Sequence, residues 1–186
     1  MHGAIDAGAK IVYLDQVFFT RTVNQTRDFC ARFNSHFVDQ NKIMDSYLGV
    51  CAAISLDKGV EHLYFTDQSF DSEVYIEFLR ELRKKIRTKK LVLFLDRASY
   101  HTSQETRDVY NELGIKYVLN AGYSPTGNPI EAVFSAVKQY YMKAKLNNVL
   151  NETEYDKEEL IRESFAKIGL QSIRNCIKRS LDFHNV

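Results

Sequence analysis

The stretch KLVLFLDRASYHTS, Lys90 to Ser103, decides how this chain folds. Leu91 to Leu95 is an unbroken apolar run. Such a run is expected of a central strand covered on both faces. Asp96 follows at once, and a carboxylate there cannot be core filling unless it is paired or bound to a cation. The polar turn RASYH leads to Thr102 or Ser103, either of which can cap a helix. That helix is predicted to run to Leu113 and stop at Gly114. Ile115 to Leu119 then reads as another strand. A strand, helix and strand in this order predict a right-handed crossover and parallel pairing.

Upstream, KIVYLDQVFFT reads as a strand over about residues 11–20 with Asp15 in it. Residues 21–48 mix hydroxyl, basic and aromatic residues with no sustained period. Gly49 to Leu56 reads as a buried strand, and Asp57-Lys58-Gly59 as a turn in which glycine supplies positive φ. Val60 to Phe65 alternates and reads as the returning strand. Asp71 or Ser72 can cap a helix over Glu73 to Ile86, whose apolar residues recur at mostly helical spacing. Downstream, a loop with two prolines precedes a helix expected from Pro129 to about Lys145. Lys157–Lys167 and Leu170–Phe183 read as two further helices. The sum is a mixed α/β sheet: an antiparallel meander joined to parallel crossovers, with helices on its faces. Three segments are expected: a leader at 1–10, a core at 11–145, and C-terminal helices at 146–186 packed on the core.

The 186 residues suit one domain with a sizeable core. Hydrophobic residues make up 45% and charged residues 26%, an ordinary balance for a folded soluble protein. Net charge is +1, so a polyanionic partner must be attracted by a local patch or a metal. The three cysteines are widely spaced, which argues for a reducing compartment and against a cysteine metal site. No apolar run is long enough to span a membrane. GxGxxG, GxxxxGK[ST] and HExxH are all absent, which removes the usual dinucleotide, P-loop and zinc-protease signatures.

Asp15 and Asp96 each follow an apolar strand, and strand ends of an open sheet are where ligands bind. Glu131 opens the helix behind the proline loop. If the two strands are parallel neighbours, all three carboxylates can share divalent ions, and oxygen ligands suit Mg²⁺ or Mn²⁺. Convergence within roughly 8 Å is expected of such a site. Each residue also has a plainer reading. Asp96 can cap a turn, Asp15 can meet a basic partner, and Glu131 can serve the helix N-terminus. Spacing alone leaves these alternatives open. The densest basic run, Arg83, Lys84, Lys85, Arg87, Lys89 and Lys90, precedes the strand that ends at Asp96. It is therefore expected at the opposite end of the sheet, as a solvated surface or a distal DNA contact.

Two blocks, LVLFLDRASYHTS and YSPTGNPIEAVFSAVKQYY, resemble the catalytic core of the mariner-type superfamily of DDE transposases. The last two acids are separated by 34 residues. The resemblance covers about residues 11–145 and implies a ribonuclease-H-like, mixed five-stranded sheet with helices on both faces. It implies that Asp15, Asp96 and Glu131 are the catalytic acids and hold two Mg²⁺ or Mn²⁺ ions. It implies auxiliary or DNA-contacting roles for His101, Arg97, Ser124, Asn128 and Lys138, and Lys143 and Lys145 are candidate phosphate contacts. The implied activity is divalent-metal-dependent hydrolysis and strand transfer on double-stranded DNA, in cut-and-paste transposition.

The same resemblance implies a homodimer acting on transposon ends and target. It also implies a helix-turn-helix module, expected to be separate or missing, and nuclear location in a eukaryote or a cytoplasmic, nucleoid one otherwise. Four positions depart from the pattern: Gln16 replaces a usual Glu, Arg97 an Asn, Thr126-Gly127 an Asp-Leu pair, and Phe134 a common Trp. These departures keep two alternatives in play: a domesticated or inactive DNA- or protein-binding domain, and another ribonuclease-H-like nuclease.

Overall fold

The computed structural model of the chain describes residues 8–19, 46–120 and 127–183. Five strands form one sheet in the order β3-β2-β1-β4-β5. They are β1 (Lys10–Phe19), β2 (Leu48–Ser55), β3 (Gly59–Thr66), β4 (Leu91–Leu95) and β5 (Ile115–Leu119). β1, β2 and β3 form the expected antiparallel meander, and Gly59 turns it at φ 81°. β4 pairs parallel with both β1 and β5. The mixed five-stranded sheet expected from the sequence is present, with helices on both faces.

One face is covered by α1 (Ser72–Lys85) and α2 (Gln104–Leu113). Asp71 caps α1 by accepting from Val74 N at 3.0 Å, and Ser103 caps α2 by accepting from Thr106 N at 3.3 Å. Gly114 ends α2 in the left-handed region at φ 63°. Apolar residues of the two helices meet Val12, Leu14, Leu91, Leu93 and Leu95 in one core. The other face is covered by α3 (Ile130–Leu150), α4 (Lys157–Ala166) and α5 (Leu170–Phe183). There Val133, Val137, Ile161 and Phe165 join Tyr13, Val17 and Phe94 in a second core. Every residue of β4 is buried, as a strand between two cores must be. The sequence-predicted boundary at 145 falls inside α3, which continues to Leu150.

The register positions the site. β1 and β4 are paired from Lys10↔Leu91 to Tyr13↔Phe94. β1 then runs on beside β2 to Phe19, whereas β4 ends at Leu95. An edge of β1 is thus uncovered just past Tyr13, and Asp15 lies on it. Continuing the β1–β4 register by two positions sets Asp15 opposite Asp96. Most of the segment 21–48, which showed no period, lies outside the described residues.

Candidate active site at the open end of the sheet

Asp15 is largely buried on β1. Burial, and to a lesser degree the charges of Asp96 and Glu131, pushes its carboxyl up from 3.8 to about 7. The Gln16 backbone N–H opposes this by donating to Asp15 Oδ1 at 2.8 Å. Asp96, just past β4, and Glu131, in the first turn of α3, are thus both near enough to act on Asp15. The three acids do not close into a coordination shell: among the described residues, no three His, Cys, Asp or Glu side chains cluster tightly enough to enclose an ion. A carboxyl raised mainly by burial, with two acids nearby, is one whose ionised form a divalent cation would stabilise, and an all-oxygen donor set fits Mg²⁺ or Mn²⁺.

Asp96 is half-exposed. His101 Nδ1 donates to its Oδ1 at 2.7 Å, and this bond is the main reason its carboxyl stays below the usual range. The Ala98 backbone N–H also donates to Oδ1, at 3.1 Å. A short 3₁₀ turn, Ser99–His101, folds the imidazole back under the strand end. His101 is fully buried there, against the rings of Tyr75 and Tyr100 at centroid distances of 4.5 and 4.6 Å. Its Nε2 accepts from Gln16 Nε2 at 3.2 Å, and Gln16 Oε1 accepts from Tyr100 Oη at 2.6 Å.

Asn128 ties the third element in. Its Nδ2 donates to the Leu14 carbonyl at 3.2 Å and to Asp15 Oδ2 at 3.4 Å. Its Oδ1 accepts from Ile130 N and its own carbonyl accepts from Glu131 N. One buried amide so fixes the start of α3 against β1, with Glu131 exposed in the first helical turn. Gly127 allows the approach: a Cβ there would lie 2.7 Å from Asn120 Oδ1.

Arg97 turns away from the carboxylate that precedes it. Its Nε donates to the Asn120 carbonyl at 3.1 Å, and it is not among the groups that shift Asp96. Lys138 and Lys143 are exposed on α3, but Lys145 is buried beside Tyr141. Helices α4 and α5 cover that part of α3, so Lys145 is corrected from the expected phosphate contacts. Ser124 lies outside the described residues. The basic run is at the far end of the sheet, as expected. There Arg83 clamps the carbonyls of Leu113, Ile86 and Thr88, and Lys85 donates to His62 Nδ1. Sequence reasoning missed Gln16 and Tyr100 as partners of His101. The only signal was Gln16 at a position where an acid was expected.

A profile described as DDE superfamily endonuclease matches residues 10–154. The chain belongs to that superfamily. Among solved structures it is similar to the Mos1 strand transfer complex, at 17% identity and a TM-score of 0.60, over 91% of this chain and 51% of that one. The Mos1 transposase catalytic domain with raltegravir and Mn matches at 17% identity and TM-score 0.58, over 91% and 76%. A simian T-cell lymphotropic virus intasome in complex with a PP2A regulatory subunit matches at 14% and 0.62, over 85% and 47%. No curated protein matches. The repeated Mos1 matches bear out the expected ribonuclease-H-like fold, and the superfamily profile bears out the DDE resemblance. The chain spans about half the length of the Mos1 chains in the strand transfer and paired-end complexes, 51% and 55%. Among the described residues no helix is long and apolar enough to cross a membrane.

Proposed function

We propose that this domain catalyses divalent-metal-dependent cleavage and strand transfer of double-stranded DNA, with Asp15, Asp96 and Glu131 as the acids that hold the ions. The observation that carries the reading is the register that sets Asp15, on the open edge of β1, opposite Asp96, with Asn128 tying the helix start that carries Glu131 to the same edge. The matched structures support it, since Mos1 complexes contain paired ends, a transferred strand, and Mn or Mg. Two divalent ions held by Asp15, Asp96 and Glu131 would supply an activated water and neutralise charge at the departing 3′ oxygen.

The chain's own residues prepare that chemistry. Asn128 orients Asp15 and anchors the helix that carries Glu131. His101 holds Asp96 by one oxygen. Arg97, anchored through Nε, has its remaining N–H groups available to a phosphate beside the strand end. Lys138 offers a positioning contact to the DNA backbone. A dimer that pairs two ends, a helix-turn-helix module outside this segment, and nuclear or nucleoid location belong to the same reading.

The test is nicking of supercoiled DNA in Mn²⁺ by wild type and Asp96→Asn. Nicking that needs Mn²⁺, stops with EDTA and falls at least about 100-fold in the variant is expected. Equal residual nicking by both proteins would favour a non-catalytic, DNA-binding descendant.

A further inference from the structure

We infer that Gln16 is a positioning residue that sets both aspartates at once. This inference rests on the reading that Asp15 and Asp96 hold divalent ions. The backbone N–H of Gln16 donates to Asp15 Oδ1 at 2.8 Å. Its side chain reaches the opposite face of β1, because successive side chains alternate. There its Nε2 donates to His101 Nε2, and also toward Cys51 Sγ at 3.7 Å. Tyr100 Oη donates to Gln16 Oε1 at 2.6 Å, which orients the amide with its NH₂ toward His101.

With the amide in this orientation, the donor order follows. An amide NH₂ can only donate, so His101 Nε2 must accept. The proton of the neutral ring is therefore on Nδ1, where it is given to Asp96 Oδ1 at 2.7 Å. A fully buried imidazole nitrogen left without a donor would cost free energy, and Gln16 removes that cost for one tautomer only. Tyr75 and Tyr100 pack on the ring and hold its plane.

The consequence falls on the carboxylates. Oδ1 of Asp15 and Oδ1 of Asp96 are each occupied by a short hydrogen bond from this one network. Among the described residues, Oδ2 of Asp15 has only the 3.4 Å contact from Asn128, and Oδ2 of Asp96 has no hydrogen bond. Partners of this kind fix the orientation of metal ligands without touching the metal. Gln16 acts on Asp96 through His101, so it is not itself a catalytic residue.

The experiment uses ¹⁵N-labelled protein without metal, and reads the His101 imidazole by long-range proton–nitrogen correlation. Wild type is expected to carry its proton on Nδ1 with Nε2 bare. A proton on Nε2 alone, or on both nitrogens, overturns the inference, whatever any variant does. Gln16→Met keeps the length of the side chain and removes the donor. In a folded variant, checked by circular dichroism, the Nε2 signal is expected to shift. Mn²⁺ affinity by calorimetry is then expected to fall roughly 10- to 100-fold. Wild type that binds no Mn²⁺ sinks the metal reading and this inference with it. Wild type that binds Mn²⁺, with Gln16→Met within about twofold of it, sinks this inference alone.

Discussion

Replacing Asp15 by Asn should stabilise the metal-free protein at neutral pH. Burial, with the charges of Asp96 and Glu131, pushes the Asp15 carboxyl from 3.8 up to about 7. Each pKa unit corresponds to about 1.4 kcal/mol, so ionising Asp15 in the folded chain costs about 4 kcal/mol. Because the folded value is the higher one, the protonated form favours folding. That stability is complete below about pH 4 and is lost as the pH rises through about 7. Asn mimics the protonated carboxyl at every pH. The two proteins should therefore melt together near pH 4 and separate on the way to pH 8. A gap of about 4 kcal/mol corresponds to about 8–16 °C in a domain of this size.

The assay is thermal unfolding by circular dichroism in EDTA across that range. His62, whose pKa is lowered by burial and by Lys85, is present in both proteins and cancels in their difference. Mn²⁺ should narrow the gap from the other side. A cation bound by the folded wild type alone adds about 2.7 kcal/mol at one hundred times its dissociation constant. A gap between variant and wild type that is flat from pH 4 to 8 would refute the electrostatic account of the site.

Two smaller perturbations probe its surroundings. Arg97→Ala should lower the salt dependence of DNA binding in EDTA by about one phosphate contact, a slope change near 0.9 in log affinity against log salt. An unchanged slope would show that the guanidinium serves only the Asn120 carbonyl. Gly127→Ala should destabilise the domain by about 1–3 kcal/mol, because the added methyl would lie 2.7 Å from Oδ1 of the buried Asn120, which must shift. A melting temperature equal to wild type would mean that the loop yields instead.

Much of this fold was legible because the relevant signals are local. The run Leu91–Leu95 announced a strand covered on both faces. Asp71, Ser103, Gly59 and Gly114 marked ends that the structure keeps. What was not legible depends on register. Nothing in the order of residues says that Gln16 lies near His101, since 84 residues intervene and the contact exists only because β1 and β4 are parallel neighbours. Lys145 misled for a related reason. The sequence shows a lysine on a helix, but not that α4 and α5 pack beside that helix or that this lysine is buried.

The departures from the mariner-type pattern bear on whether the site is intact. An acid replaced by Gln16 and an Asn replaced by Arg97 each make the open end of the sheet more positive by one charge. Had Arg97 paired with Asp96, it would have occupied the carboxylate that a cation needs. It bonds the Asn120 carbonyl instead, and the group that bonds Asp96 is His101. Gln16 meanwhile donates where a carboxylate could only accept, which suits a neutral imidazole with a bare Nε2. The changed neighbours thus leave the three acids unpaired with any lysine or arginine among the described residues. A decayed site would be expected to neutralise its buried aspartate, by substitution or by an ion pair. Asp15 is still an acid held up by burial and by the nearby charges of Asp96 and Glu131, and a divalent cation would stabilise its ionised form.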